Sequence, residues 1–228
     1  MREIVLDTET TGLDPLKGDR VVEIGCVELH NHVSTKNTFH VYLNPERDMP
    51  TEAAMVHGLT DEFLEDKPVF SQTVDEFLNF ISDSTLVIHN ASFDMNFINA
   101  ELTRCGYKRL PMDRALDTVQ MARKMFPGAP ASLDALCKRF NVDSSSRTLH
   151  GALLDAQLLA EVYLELRGGR QPGLQMLSAE SALIEEVQAC VREHRPPRPH
   201  PVFDDEAAAH EAFLEKLKNP LWKRLVSQ

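Results

Sequence analysis

Residues 4–9, Ile-Val-Leu-Asp-Thr-Glu, carry an apolar run straight into two acids. Side chains of a strand alternate between faces, so Asp7 and Glu9 share one face while Thr8 points to the other. Carboxylates placed side by side resist ionising together unless a cation lies between them. The segment therefore reads as a buried strand that ends at a ligand-bearing sheet edge, the edge where open α/β folds bind their ligands.

The rest of the first 168 residues supplies such a sheet. The segments "DRVVEIGCVEL" and "STKNTFHVYLN" alternate like two further strands, and a short turn at His30-Asn31-His32 suits a hairpin between them. In "SQTVDEFLNFI", Val74, Phe77, Leu78 and Ile81 fall on one helical face. A short strand "TLVIHN" precedes a helix "SFDMNFINAELTRC" with Ser92 as its cap. The segment "RALDTVQMARKMF" reads as a brief strand turning into a helix. Two more helices follow, "SLDALCKRF" and "GALLDAQLLAEVYLELR", the second apolar nearly all round and hence buried. A strand hairpin followed by βα units implies an α/β domain built on a mixed sheet with helices packed on it.

After Gly168 the character changes. Residues 169–228 hold six of the 13 prolines, and read as a largely extended tail with short helices at "LSAESALIEEVQACVREH" and "DDEAAAHEAFLEKLKN". The division is 1–168, a folded domain; 169–203, a linker; and 204–228, a segment whose Phe213, Leu214, Leu217, Leu221 and Trp222 form an apolar stripe with nothing local to bury it. The tail carries eight Lys and Arg against nine Asp and Glu, so of the net charge of −11 all but −1 belongs to the folded domain. Such acidity argues against binding to nucleic acid or membrane by bulk electrostatics. Four widely spaced cysteines read as reduced thiols, and no apolar run reaches the ~18 residues needed to span a bilayer. The expected setting is cytoplasmic, with no membrane partner.

Two further acids can join the first pair. Asp94 lies just inside the helix after "LVIHNASF", and Asp155 sits in a helix so apolar that its charge needs a positive partner. Oxygen-only ligands favour Mg²⁺ or Mn²⁺ over Zn²⁺. Two such ions about 4 Å apart suit in-line displacement at phosphorus. His150, five residues before Asp155 on the loop entering its helix, is suited to take a proton from the attacking water. Each residue also has an ordinary reading alone: a turn for Asp7 and Glu9, a first-turn acid for Asp94, a core ion pair for Asp155, a capping histidine for His150. The combination carries the argument.

The segments "VLDTETTGL", "HNASFDMNF" and "LHGALLDAQLLAEVYL" resemble the three motifs of the Asp-Glu-Asp-Asp exonuclease superfamily, in the branch whose general base is a histidine five residues before the last acid. Over residues 2–169 the chain is similar to the epsilon family, the proofreading 3′→5′ exonuclease subunits of bacterial DNA polymerase III. The resemblance implies a ribonuclease H-like mixed sheet flanked by helices. It also implies two divalent cations, with Asp7, Glu9 and Asp155 as ligands, Asp94 completing the acidic set, and His150 as general base. On the same ground the DNA 3′ end would rest on Thr10, Gly12, Leu13, His57 and Phe93. In the tail, residues 204–228 resemble the segment that docks on the polymerase alpha subunit, a helix laid into a groove. Gln171–Met176 resembles a sliding-clamp motif in which Met176 replaces the usual aromatic. A small stabilising subunit on the nuclease domain is a further partner that some family members have. A stand-alone RNA- or oligonucleotide-trimming exonuclease and a non-catalytic assembly subunit are the competing readings.

Overall fold

The computed structural model describes residues 1–145, 149–168 and 203–218. The chain divides into two units, Met1–Leu174 and Gln175–Gln228. In the first, β1 (Arg2–Thr10), β2 (Val21–His30) and β3 (Val33–Tyr42) form an antiparallel run, followed by α1 (Thr51–His57), α2 (Asp61–Leu64) and α3 (Phe70–Ile81). Then come β4 (Thr85–Ile88), α4 (Ala91–Arg104), β5 (Ala115–Asp117), α5 (Thr118–Met125), α6 (Leu133–Phe140) and α7 (Ala152–Leu166). In the second unit α8 spans Asp204–Lys216.

The sheet order is β3-β2-β1-β4-β5. β1 runs antiparallel to β2 and parallel to β4, and β4 runs parallel to β5, so the sheet is mixed as expected. The β2–β3 hairpin turns through Asn31 and His32, both at positive φ (52° and 68°), the geometry that matches the twist of paired strands.

Strand alternation sorts the core into two layers. Ile4, Leu6, Ile24, Cys26, Leu86 and Ile88 pack on α3 and α4, burying Val74, Phe77, Ile81, Met95 and Ile98. Val5, Val27, Leu29 and Val87 face the other way, onto α5, α6 and α7. A buried ion pair ties the first layer: Glu101 of α4, 1% exposed, accepts from Arg20 at 2.7 and 3.0 Å and from Arg104 at 2.9 Å.

Three details depart from the sequence reading. α4 begins at Ala91 with Asn90 at its cap in the left-handed conformation, and no side-chain cap bond is made; Ser92 lies inside the helix instead of capping it. α1 and α2 went unread because seven and four residues are too short for a helical period, and Met55 and Val56 of α1 are exposed. Lastly, the β1–β2 register shifts between Glu9 and Thr10, leaving Val22 as an extra residue that packs with Leu59 and Leu64 around α2.

The helix expected within residues 177–194, the clamp-like Gln171–Met176, Leu221 and Trp222 lie outside the described residues. Phe213 of α8 and Leu217 just beyond its end are exposed. No helix among the described residues is long and apolar enough to cross a membrane.

Candidate active site

The two layers meet at the C-terminal end of β1. Asp7 and Glu9 continue the face of Val5, toward α7, whereas Thr8 continues the face of Leu6, toward α4. Each face meets its own acid.

On the α7 side, Asp155 lies one turn into the helix and is 3% exposed. Its Oδ2 is 3.3 Å from His150 Nδ1. Glu9, His150 and Asp155 each offer a ligand atom within 4.8 Å of the other two. What brings the helix so close is Gly25. It pairs with Asp7 across the β1–β2 ladder, and a Cβ there would fall 2.3 Å from the main-chain carbon of Ala152. Only a residue without a side chain lets the start of α7 rest on the sheet at this point.

On the α4 side, Asp94 is 3% exposed and accepts a 2.7 Å hydrogen bond from Thr8 Oγ1. Thus Asp94 reaches the site through the opposite face of β1 from Asp7 and Glu9. The turn that delivers it is fastened by Asp117, whose Oδ1 accepts from Asn90 N at 3.2 Å and from Val119 N at 2.8 Å.

Electrostatics show the strain of this gathering. Burial, then the charges of Asp94, Glu9, Asp155 and Glu23, hold the Asp7 carboxyl well above the usual range. Burial pushes Asp94 up to about 7, against the hydrogen bond from Thr8 and with a contribution from the Asp117 charge. Acids that resist ionisation when alone, converging with a histidine, are a donor set that a hard divalent cation satisfies. The residues present therefore fit the expected metal chemistry.

The sign of the Asp94 shift gives a test in ion-free protein. The folded state holds this proton more tightly than the unfolded chain, so the stability it contributes is complete below pH 4 and is lost as pH rises through about 7. Asp94→Asn keeps an acceptor for Thr8 without the charge. In chelator, unfolding measurements should find the variant gaining on the native chain between pH 4 and 8, by roughly 4 kcal/mol at about 1.4 kcal/mol per pKa unit. Excess Mg²⁺ or Mn²⁺ should narrow or reverse that gap; a difference independent of pH would contradict the assignment.

Of the residues expected to hold a 3′ end, Thr10 is buried and donates from Oγ1 to the Gly12 carbonyl at 2.6 Å, fixing the turn that carries Leu13. Leu13 is 85% exposed, and Phe93 is partly buried against Phe97 at 4.9 Å between ring centroids. His57 ends α1. Its Nδ1 accepts from Leu59 N at 3.1 Å, which leaves the proton on Nε2. That Nε2 is buried and has no hydrogen-bond partner among the described residues. Burial lowers the His57 pKa, partly offset by the Thr10 main chain and the Glu23 carboxylate.

Glu23 escaped the sequence reading. It is 3% exposed, lies directly across the ladder from Glu9, and pairs with His40 Nε2 at 2.7 Å. The signal was available: an acid inside the apolar strand "VVEIG" raises the same question as Asp7 and Glu9.

A family model described as "Exonuclease" matches residues 4–163. The chain is 51% identical over 222 residues to DNA polymerase III subunit epsilon of Rickettsia typhi, covering 95% of this chain and 97% of that protein. It is 45% identical over 236 residues to DNA polymerase III subunit epsilon of Escherichia coli K12, covering 97% of each. Among solved structures, the zinc-bound complex of E. coli exonuclease I with single-stranded DNA superposes with a TM-score of 0.65 at 16% identity, over 75% of this chain and 41% of that one. That likeness shows a shared exonuclease fold.

Proposed function

We propose, for a chain that belongs to the exonuclease family and within it to the proofreading epsilon subunits of DNA polymerase III, that Asp7, Glu9 and Asp155, completed by Asp94, hold two divalent cations, Mg²⁺ or Mn²⁺, and that His150 is the general base. The reaction is 3′→5′ excision of terminal nucleotides from DNA. When bound, the cations supply charge neutralisation of the phosphate and acidification of water. The observation that carries the reading is the convergence of Glu9, His150 and Asp155 within 4.8 Å, beside two more acids that resist ionisation.

In this reading the chain's own residues divide the work. His150, half exposed beside buried Asp155, takes the proton from the attacking water and releases it to solvent. Asp155 holds the imidazole by its 3.3 Å contact. The buried Nε2–H of His57 is a donor awaiting an oxygen of the terminal nucleotide, and Thr10, Gly12, Leu13 and Phe93 form the surface for its base and sugar. The charge of −10 on residues 1–168 repels intact duplex, so a frayed, unpaired end is the form that gains access. In the tail, Phe213 of α8 and Leu217 just beyond it are exposed and would dock on the polymerase alpha subunit, and the Gln171–Met176 motif would contact the sliding clamp. A small partner on the nuclease domain would be a third contact.

The test uses the full chain on a primer with a mismatched 3′ end. Nucleotide release is expected to stop in chelator, return with Mg²⁺ or Mn²⁺, and fall about 10²–10⁴-fold in His150→Gln. Phe213→Ala with Leu217→Ala should leave release intact while abolishing co-elution with the alpha subunit. A strong preference for RNA over DNA would favour the trimming exonuclease, no release with either cation would favour the non-catalytic subunit, and activity that persists in chelator would contradict the metal assignment.

A further inference from the structure

α1 touches two parts of the site at once. Its last residue, His57, is buried within electrostatic reach of the Thr10 main chain, Glu23 and His150. The residue before it, Val56, accepts the main-chain N–H of His150 at 3.2 Å. The residue after it, Gly58, turns the chain at φ +75°, and the Leu149 Cδ1 methyl occupies the space over it, 2.6 Å from where a Cβ would stand. The general-base loop is thereby pinned to α1 by one hydrogen bond and one methyl contact on either side of His57.

Leu149 is half exposed, so burial of apolar area is a small part of its contribution. Packing against a bare main-chain turn instead fixes direction. A side chain held this way restricts the backbone of the residue that follows it, and that residue is His150. Asp155, by contrast, contacts the imidazole itself, at Nδ1, and not the main chain of His150.

We infer that Leu149 is a positioning residue: seated on Gly58, it locks the His150 loop to α1, so that a nucleotide engaging His57 and the base that takes the proton from the attacking water are registered by one element. The inference rests on the proposed roles of His150 and His57. Loss of Leu149 should lower turnover without weakening substrate binding, because a base misplaced by about 1 Å is enough to cost on the order of 100-fold.

The full chain carrying Leu149→Ala, Leu149→Met or His150→Gln would be compared on single-stranded DNA in Mg²⁺. In parallel, the rate at which diethyl pyrocarbonate modifies His150 would be read by mass spectrometry in ion-free protein. Expected for Leu149→Ala is a kcat lower by about tenfold or more with KM within about twofold, and faster modification of His150. Leu149→Met, which keeps the reach of the methyl, should restore both. A kcat near that of the native chain with unchanged modification would overturn the inference. So would a rise in KM at constant kcat, which would make Leu149 a DNA contact. Native turnover in His150→Gln would instead overturn the assignment of the general base on which the inference stands.

Discussion

Replacing Asp7 by Asn is expected to reduce nucleotide release by on the order of 10³-fold while making the ion-free protein more stable at pH 8. The two effects have one cause. Asp7 is opposed by burial and by four neighbouring carboxylates, Asp94, Glu9, Asp155 and Glu23. Its folded-state pKa is raised, so its stabilising protonated form is retained at low pH and lost as pH rises. Asparagine removes that cost and removes with it the charge that attracts the cations. Loss of a single preorganised electrostatic partner typically costs about 10²–10³ in turnover, and a shared metal ligand should cost no less. Rates in Mg²⁺ and thermal midpoints in chelator check both halves. A variant within tenfold of native turnover would remove Asp7 from the ligand set, and one that is inactive and also less stable without ions would remove it from the electrostatic account.

Gly25→Ala is the second large effect, at a residue with no chemistry of its own. The added methyl would lie 2.3 Å from the Ala152 main-chain carbon and from the Leu153 amide nitrogen. Neither can yield locally, since both belong to α7, so the helix must lift from the sheet and carry Asp155 away from Glu9. A displacement near 1 Å is expected to cost on the order of 100-fold in turnover, and overpacking about 1–3 kcal/mol in stability. Titration with Mn²⁺ should show weakened binding in the variant. Wild-type turnover would mean that α7 has slack at its start, contrary to the packing described.

How much of this was open to a reader of the sequence depends on range. Asp7, Glu9, Asp94, His150 and Asp155 announced themselves because each breaks a local expectation: an acid ending an apolar strand, an acid in an apolar helix, a histidine at a loop beside it. The strands and long helices followed from alternation and 3.6-residue spacing, which neighbouring residues encode. α1 and α2 were hidden because they are short and partly exposed. Ser92 was misread as a cap because the turn before α4 is held from elsewhere, by Asp117 of the next strand.

The sequence by itself determined an α/β domain with a mixed sheet, the acids proposed to carry the chemistry and the family to which the chain belongs. Tertiary structure alone decided how those acids meet: Asp7 and Glu9 against Asp155 on one face of β1, Asp94 through Thr8 on the other, with Gly25 permitting the contact of α7 and with α1 bracing His150. Periodicity reports which face a side chain takes relative to its near neighbours. It carries no information on how closely a backbone more than a hundred residues away comes to rest on that face, and that close approach is what turns four separated acids into one site.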